Sequence, residues 1–201
     1  MKNISINVFF TFLILFLSQF VFLNFSNSAE KDDAQKFIQS LGNKAIAMLS
    51  NKNSTKVQKI SDFEKLLDEG FEVQLIARYA LGKYWRKTQK DKKDEYILAF
   101  RKFIIDSYAS RLGQFGGEKF SAVGVREDGK RGFIVNSLIE TPNGTKVKVD
   151  WRVKKINNAF RIYDVVIEGI SMVITQRDEF SSIIQRSGGN IDPLIKKLQN
   201  F

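Results

Sequence analysis

The chain has no cysteine and no histidine among its 201 residues. The absence of cysteine excludes disulfides and thiol chemistry, so the fold must be stabilised by buried apolar surface. The absence of histidine removes the most frequent general base of enzymes and the most frequent protein ligand of transition metals. We therefore expect neither a metal nor a cofactor.

Paired carboxylates would be another means of acid-base catalysis. The nearest candidates, Asp164 and Glu168, flank apolar residues of a predicted strand. Four residues of strand span more than about 12 Å, which exceeds the separation of paired glycosidase carboxylates. The sequence therefore predicts a protein that is not an enzyme.

The N-terminus contains a long apolar run from Val8 to Phe25, preceded by Lys2. Small residues follow the run where a signal peptidase would cleave: Ser26, Ser28 and Ala29. We therefore predict a cleavable signal peptide in residues 1–29 and a single exported domain in residues 30–201. The run is also long enough for an uncleaved membrane anchor, which stays open as the alternative.

Basic residues outnumber acidic ones, with 32 Lys and Arg against 22 Asp and Glu, and the formal charge is +10. Loss of Lys2 with the signal peptide would leave about +9. Outside the cytoplasm, this charge favours anionic lipid head groups and acidic protein surfaces as partners. We expect no nucleic-acid binding, because the chain is exported and lacks a motif of interleaved basic and aromatic residues.

Apolar residues at helical spacing predict four helices in the first half of the mature chain. These helices cover Asp32 to Ser50, Lys56 to Glu69, Phe71 to Trp85, and a stretch containing Ile97 to Leu112. Gly70 is predicted to cap the second helix at its C-terminus. After Gly169, the helical spacing returns, and Asp192-Pro193 is predicted to start a short final helix.

Between these helical regions, three turn signals separate segments of alternating apolar and polar residues: Asp128-Gly129, Pro142-Asn143-Gly144 and Asn157-Asn158. They predict a four-stranded antiparallel meander from about Lys119 to Glu168. The third strand alternates most regularly, so that one face of the sheet is apolar. We expect a single α+β domain in which the closing helices lie on this apolar face of a curved sheet.

Three segments resemble the MlaC family of periplasmic phospholipid-binding proteins, also called toluene-tolerance proteins. The segment FEVQLIARYALGKYWR matches the family pattern at Phe71, Ala77, Arg78, Leu81, Gly82 and Trp85. The segment FRKFIIDSYASRL resembles the next family helix. The third segment is IYDVVIEGISMV, which is followed by an arginine and a phenylalanine in QRDEFSSII and by a glycine in RSGG.

This resemblance implies a nuclear-transport-factor-like α+β fold with an apolar tunnel for acyl chains. It further implies a shuttle in the periplasm of a Gram-negative bacterium. The implied partners are a phospholipid ligand, an outer-membrane lipoprotein complex and the MCE-domain subunit of an inner-membrane ABC transporter. We expect the protein to act as a monomer.

The residues that we expect to line the tunnel combine inward strand positions with apolar helix positions. They are Phe71, Ile76, Leu81, Trp85, Phe100, Ile104, Tyr108, Phe133, Val135, Val147, Val149, Trp151, Tyr163, Val165, Ile167, Ile170 and Val173. For each of them, ordinary core packing is the alternative. Arg78, Lys83 and Arg86 are the candidate cations for a head group or an acidic partner surface, with a solvated helix face as the alternative.

Two other functions stay open from the sequence. One is a membrane-anchored α+β interaction module of an envelope assembly such as a secretion system, tethered by the run from Val8 to Phe25. The other is an enzyme that acts on envelope polymers, for which no acid-base pair is found. For a carrier, the residues leave open the direction of transport, the head group, the number of acyl chains and a polycyclic lipid as cargo.

Overall fold

The computed structural model describes residues 5–109 and 112–201, with side chains described from Ser28 onward. The predicted signal peptide, residues 1–29, therefore lies almost wholly outside the described side chains. Within residues 28–109 and 112–201, no helix is both long enough and apolar enough to span a bilayer. The first helix, α1 (Ser5–Ser50), includes the amphipathic stretch predicted from Asp32 to Ser50.

Three further helices precede the sheet: α2 (Lys56–Gly70), α3 (Val73–Leu81) and α4 (Lys90–Ala109). A capping box starts α2, because the side chains of Thr55 and Gln58 each accept a backbone N–H of the other residue. The predicted glycine cap is wrong, since Gly70 is still helical and the extended residue Phe71 ends α2.

The predicted helix from Phe71 to Trp85 is divided by Gly82. This glycine has a φ of +57°, which a residue with a side chain rarely adopts. It therefore ends α3, and a short 3₁₀ turn (Gly82–Arg86) carries the chain towards α4.

Five antiparallel strands then form one sheet in the order of the sequence: β1 (Lys119–Glu127), β2 (Phe133–Glu140), β3 (Lys146–Ile156), β4 (Ala159–Ile167) and β5 (Ile170–Ser171). The first four strands confirm the predicted meander, and the two-residue β5 adds a fifth strand beside β4. Asn157 and Asn158 both have positive φ, as a tight hairpin turn between twisted strands requires.

Two helices close the described chain, α5 (Met172–Arg186) and α6 (Asp192–Gln199). They pack with α3 and α4 around the aromatic rings of Tyr96, Phe100 and Phe180, which form a helical core. The expectation that the closing helices cover the apolar face of the sheet is wrong. Helix α1 covers that face with Ala34 and Ile38, because the short β5 leads α5 away at the β4 edge.

The pairing of β3 with β4 is irregular at one point. Arg152 is opposite Asp164 and Val153 is opposite Ile162, so Tyr163 is an extra residue in β4. A bulge of this kind shifts the alternation of side chains. As a result, Ile162 and not Tyr163 joins Val153 in the core beneath α1, and the simple alternation predicted from Tyr163 onward fails at that residue.

Candidate functional site

One face of the sheet carries apolar side chains that the strand registers place side by side. Seven of the predicted lining residues share this face: Phe133, Val135, Val147, Val149, Trp151, Val165 and Ile167. Residues paired directly across antiparallel strands point to the same side of the sheet. We refer to these seven residues as the apolar face, and the structure brings them together as predicted.

Trp151 lies at the centre of the apolar face, between Val135 on β2 and Val165 on β4. Its indole ring makes edge contacts with the rings of Phe71 and Phe120, with centroids 6.5 and 6.1 Å away. Phe71 thereby extends the apolar face towards the helices, because it lies with Glu72 in the link between α2 and α3.

A single buried hydroxyl interrupts the apolar face. Ser137 is only 2% exposed, and its hydroxyl accepts the indole N–H of Trp151 at 2.8 Å. The same hydroxyl donates to the carbonyl oxygen of Val149, also at 2.8 Å. Ser137 could not be predicted from the sequence, because the partner of a lone serine in an alternating strand is set by the register of the neighbouring strand.

The helical part of the predicted lining lies in the other core. Leu81 and Phe100 are fully buried there, and Ile76, Trp85 and Ile104 pack against it. In the same core, the hydroxyl of Tyr96 donates to the carbonyl oxygen of Ala77 at 3.0 Å, and burial raises the pKa of this tyrosine. The structure therefore places the five predicted lining residues of this core away from the apolar face.

Three predicted lining residues lie elsewhere. Tyr108 is 44% exposed and contacts the ring of Phe63 at a centroid distance of 5.9 Å, which joins α4 to α2. Ile170 is 61% exposed in β5. Val173 is buried at the start of α5, beside a cavity on the other side of β4.

The candidate cations Arg78, Lys83 and Arg86 are exposed on α3 and on the 3₁₀ turn that follows it. In the described part of the chain, none of them forms an ion pair. The ammonium group of Lys83 lies 5.2 Å from the centre of the Tyr84 ring. These charges are therefore free to meet an anionic group from solution.

Asp164 is 4% exposed, and the structure gives its carboxylate a clear role. It accepts hydrogen bonds from the Ser171 hydroxyl at 2.7 Å and from the Val173 N–H at 3.1 Å, where α5 begins. Arg152 Nη1 lies 3.2 Å from the same carboxylate. The residue therefore fastens α5 to β4, whereas Glu168 accepts the backbone N–H of Lys148.

Tyr163, displaced by the bulge, lines a cavity of about 320 Å³ between β3, β4, α3 and α5. Its hydroxyl donates to Asp128 at 3.3 Å. Burial, followed by the negative charge of Asp128, raises the pKa of Tyr163 to about 12. The phenol is therefore neutral at physiological pH.

Among the side chains that the structure describes, no three Asp or Glu residues are grouped closely enough to hold a metal ion. The geometry of this protein is therefore that of an apolar surface with a separate polar cavity. Within residues 28–109 and 112–201, it combines a sheet face of apolar side chains with several cations that form no ion pair.

The family model of the MlaC protein matches residues 39–200 of this chain. The chain belongs to the MlaC family. The chain is 27% identical over 123 residues to the intermembrane phospholipid transport system binding protein MlaC of Haemophilus influenzae. The matched segment covers 59% of this chain and 56% of that protein.

A second relative of the chain is the toluene tolerance protein ttg2D of Pseudomonas putida. The two are 24% identical over 114 residues, or 56% of this chain and 53% of that protein. The chain thus spans about half the length of the curated relatives that it matches.

The chain also has the fold of a phospholipid-binding protein from Ralstonia solanacearum, whose structure was solved in complex with a phospholipid. The two structures superpose with a TM-score of 0.72 at 20% sequence identity, over 83% of this chain and 95% of that chain. At this level of identity, the likeness shows a shared fold.

Proposed function

We propose that this MlaC family protein is a periplasmic carrier that binds the acyl chains of a phospholipid and takes the lipid through the aqueous space between two membranes. The apolar face is the observation that carries the proposal. Four of its members are only half-buried although they belong to an otherwise dry face: Val147, Trp151, Val165 and Ile167. The family match and the phospholipid in the structure of the Ralstonia protein support the same ligand class.

The energetics of lipid transfer explain why a carrier is needed. Exposure of a methylene group to water costs about 0.8 kcal/mol, so two acyl chains of roughly fifteen carbons cost more than about 20 kcal/mol. A value of this size approaches the upper limit of non-covalent affinity. Transfer from a bilayer to an apolar pocket instead exchanges one apolar environment for another, so that both loading and release are feasible.

In this proposal, the acyl chains lie against the half-buried part of the apolar face, beyond the residues that α1 covers and on the side of helices α2 and α4. Phe71 would contact the chains from the α2–α3 link, because its ring already meets the indole of Trp151. Tyr108, which is half-exposed and contacts Phe63 on α2, would contact them from α4. The protein then needs to supply a dry surface and no chemistry, in agreement with a chain without cysteine and histidine.

The partners that we propose are those implied by the family resemblance. They are an outer-membrane lipoprotein complex and the MCE-domain subunit of an inner-membrane ABC transporter. The exposed cations Arg78, Lys83 and Arg86 would meet acidic groups on these partners or the lipid head group. We further propose that the carrier acts as a monomer after removal of residues 1–29, since a shuttle must diffuse.

A pair of substitutions on adjacent residues tests the ligand and its place together. Ile167 belongs to the apolar face, whereas Val166 pairs with Asp150 and Ser171 on the opposite face, and both side chains are half-buried. In Ile167→Asn, a polar amide would face the acyl chains, which we expect to weaken lipid binding by about 10-fold or more. Val166→Asn is the matched control and should bind lipid like the wild type.

The measurement is native mass spectrometry with organic extraction on protein secreted to a bacterial periplasm and purified without detergent. We expect one phospholipid per chain in the wild type and in Val166→Asn, and a mostly lipid-free Ile167→Asn. A wild-type protein that carries no lipid, and takes up none from vesicles, would contradict the carrier function and favour an envelope interaction module. Equal lipid content in the two variants would contradict the location.

A further inference from the structure

The cavity beside Tyr163 is strongly basic. Five cationic side chains line it: Lys130, Arg131, Arg152, Lys154 and Arg177. The lining contains one carboxylate, Asp164, and Asp128 contacts the cavity through its hydrogen bond with Tyr163. Five positive and two negative charges leave a net +3 at a cavity of about 320 Å³, which we refer to as the basic cavity.

In the described part of the chain, two of the five cations have carboxylate partners. Arg131 pairs with Asp128 at 2.6 Å, and Arg152 pairs with Asp164 at 3.2 Å. Among residues 28–109 and 112–201, Lys130, Lys154 and Arg177 form no ion pair.

Of these three cations, Lys154 and Arg177 make other contacts, and these contacts leave their positive charges able to bind an anion. Lys154 lies over the ring of Tyr163 at 5.9 Å, a contact that leaves its ammonium charge uncompensated. Arg177 donates from Nε to the carbonyl oxygen of Tyr79 at 2.9 Å, which holds its guanidinium group at the cavity. The cavity thus combines fixed and unneutralised positive charge.

Arg152 is held at the wall of the basic cavity by its ion pair with Asp164. Its Nε–H group is buried and has no acceptor in the described part of the chain. Buried donors without a partner are rare, because the loss of hydration is not compensated. Because this nitrogen is enclosed by protein, Arg152 lines the basic cavity through other atoms of its side chain.

We propose that the basic cavity binds a phosphate group. The planar guanidinium groups of Arg152 and Arg177 match the geometry of phosphate oxygens, and Lys154 adds a mobile point charge. Tyr79, Val173 and Ile174 also line the cavity, and their apolar atoms suit the carbon part of a phosphate ester. A lipid head group and a free phosphate ester share this chemistry; the lipid form of the inference rests on the proposed function.

The basic cavity is distinct from the surfaces described above. Arg152 and Asp164 pair on the opposite side of the sheet from Trp151 and Val165, because they are their immediate neighbours in β3 and β4. The cavity also differs from the exposed cations at Arg78, Lys83 and Arg86, none of which lines it. It is therefore a second site with its own ligand chemistry.

Lysine variants of the full mature protein test this site by calorimetric titration at low salt, where charges are least screened. The probes are inorganic phosphate, dihexanoylphosphatidylglycerol and uncharged dihexanoylglycerol. Lys154→Met should weaken phosphate binding by about 10-fold, and Lys154→Arg should retain it. Lys148→Met is the matched control, because Lys148 is exposed on the same strand and does not line the cavity.

The three probes separate the sources of the phosphate. If Lys154→Met weakens both phosphate-bearing probes, the site holds a lipid head group; if only inorganic phosphate is affected, the ligand is a free phosphate or its ester. Equal affinities of Lys154→Met and Lys148→Met for both probes would overturn the proposal. Phosphate binding together with no binding of either lipid probe would support the cavity and count against the carrier function alone.

Discussion

The hydroxyl of Ser137 is the sharpest point at which to test the structure of the apolar face. Ser137→Ala removes the acceptor of the Trp151 indole N–H while changing the side-chain volume by a single oxygen atom. The site is 2% exposed, so that water cannot readily replace the lost hydroxyl. The indole N–H would then be left in an apolar environment formed by Phe71, Phe120 and Val165.

The expected magnitude follows from this loss of a partner. A buried donor without an acceptor costs about 1–3 kcal/mol, and the lost hydrogen bond to the Val149 carbonyl adds a contribution in the same direction. For a domain of this size, about 2 kcal/mol lowers Tm by roughly 4–8 °C. Trp151→Phe removes the donor, so Ser137→Ala should cost at least about 1 kcal/mol less in that background.

Urea unfolding of the four proteins in this double-mutant cycle provides the measurement, with Ser137→Thr as a variant that retains the hydroxyl. The midpoint and slope of each curve give the free energy of unfolding. If Ser137→Ala costs the same with and without Trp151, the indole and the hydroxyl are not coupled. The arrangement at the centre of the apolar face would then be wrong.

Two further predictions concern packing and titration. Gly42→Ala should destabilise the protein by up to about 2 kcal/mol in urea unfolding, because the new Cβ would lie 2.2 Å from the Phe120 ring. The additional substitution Phe120→Leu should relieve this loss, and a Gly42→Ala variant more stable than the wild type would contradict the packing. The free energy of unfolding should also fall from pH 10 towards 12, because the pKa of the Tyr163 phenol is 10.0 in the unfolded chain and about 12 in the folded protein. A Tyr163→Phe variant whose stability falls equally steeply over this range would contradict the assignment.

Much of the architecture could be predicted from local patterns. The apolar periods placed α2, α4 and the four long strands, and the Asn157-Asn158 turn was predicted because few other residues adopt a left-handed conformation. The alternation of β3 also predicted which of its residues face the dry side. These features depend on neighbours within a few residues, so they are encoded locally.

The candidate site could be predicted only in part. The strand residues of the apolar face were found because alternation determines the face, but the bulge at Tyr163 was not visible, since it arises from the pairing of β4 with β3. The same bulge turns Tyr163 towards Lys154 and creates the basic cavity. Its cations come from distant parts of the chain, so no short motif indicates them.

By itself, the sequence determined the succession of helices and strands, the apolar side of the sheet and the family to which the chain belongs. It also predicts an export signal. Only the tertiary structure decided what covers that side. Gln35 and Gln39 of α1 hydrogen-bond the carbonyl and the N–H of Ala122 at the irregular point of β1, and Gly42 admits the Phe120 ring. Local propensity would treat Gly42 as a weak point of the helix. Its role depends on a strand about 80 residues away, and contacts over such distances are settled by packing and hydrogen bonding, which no local pattern records.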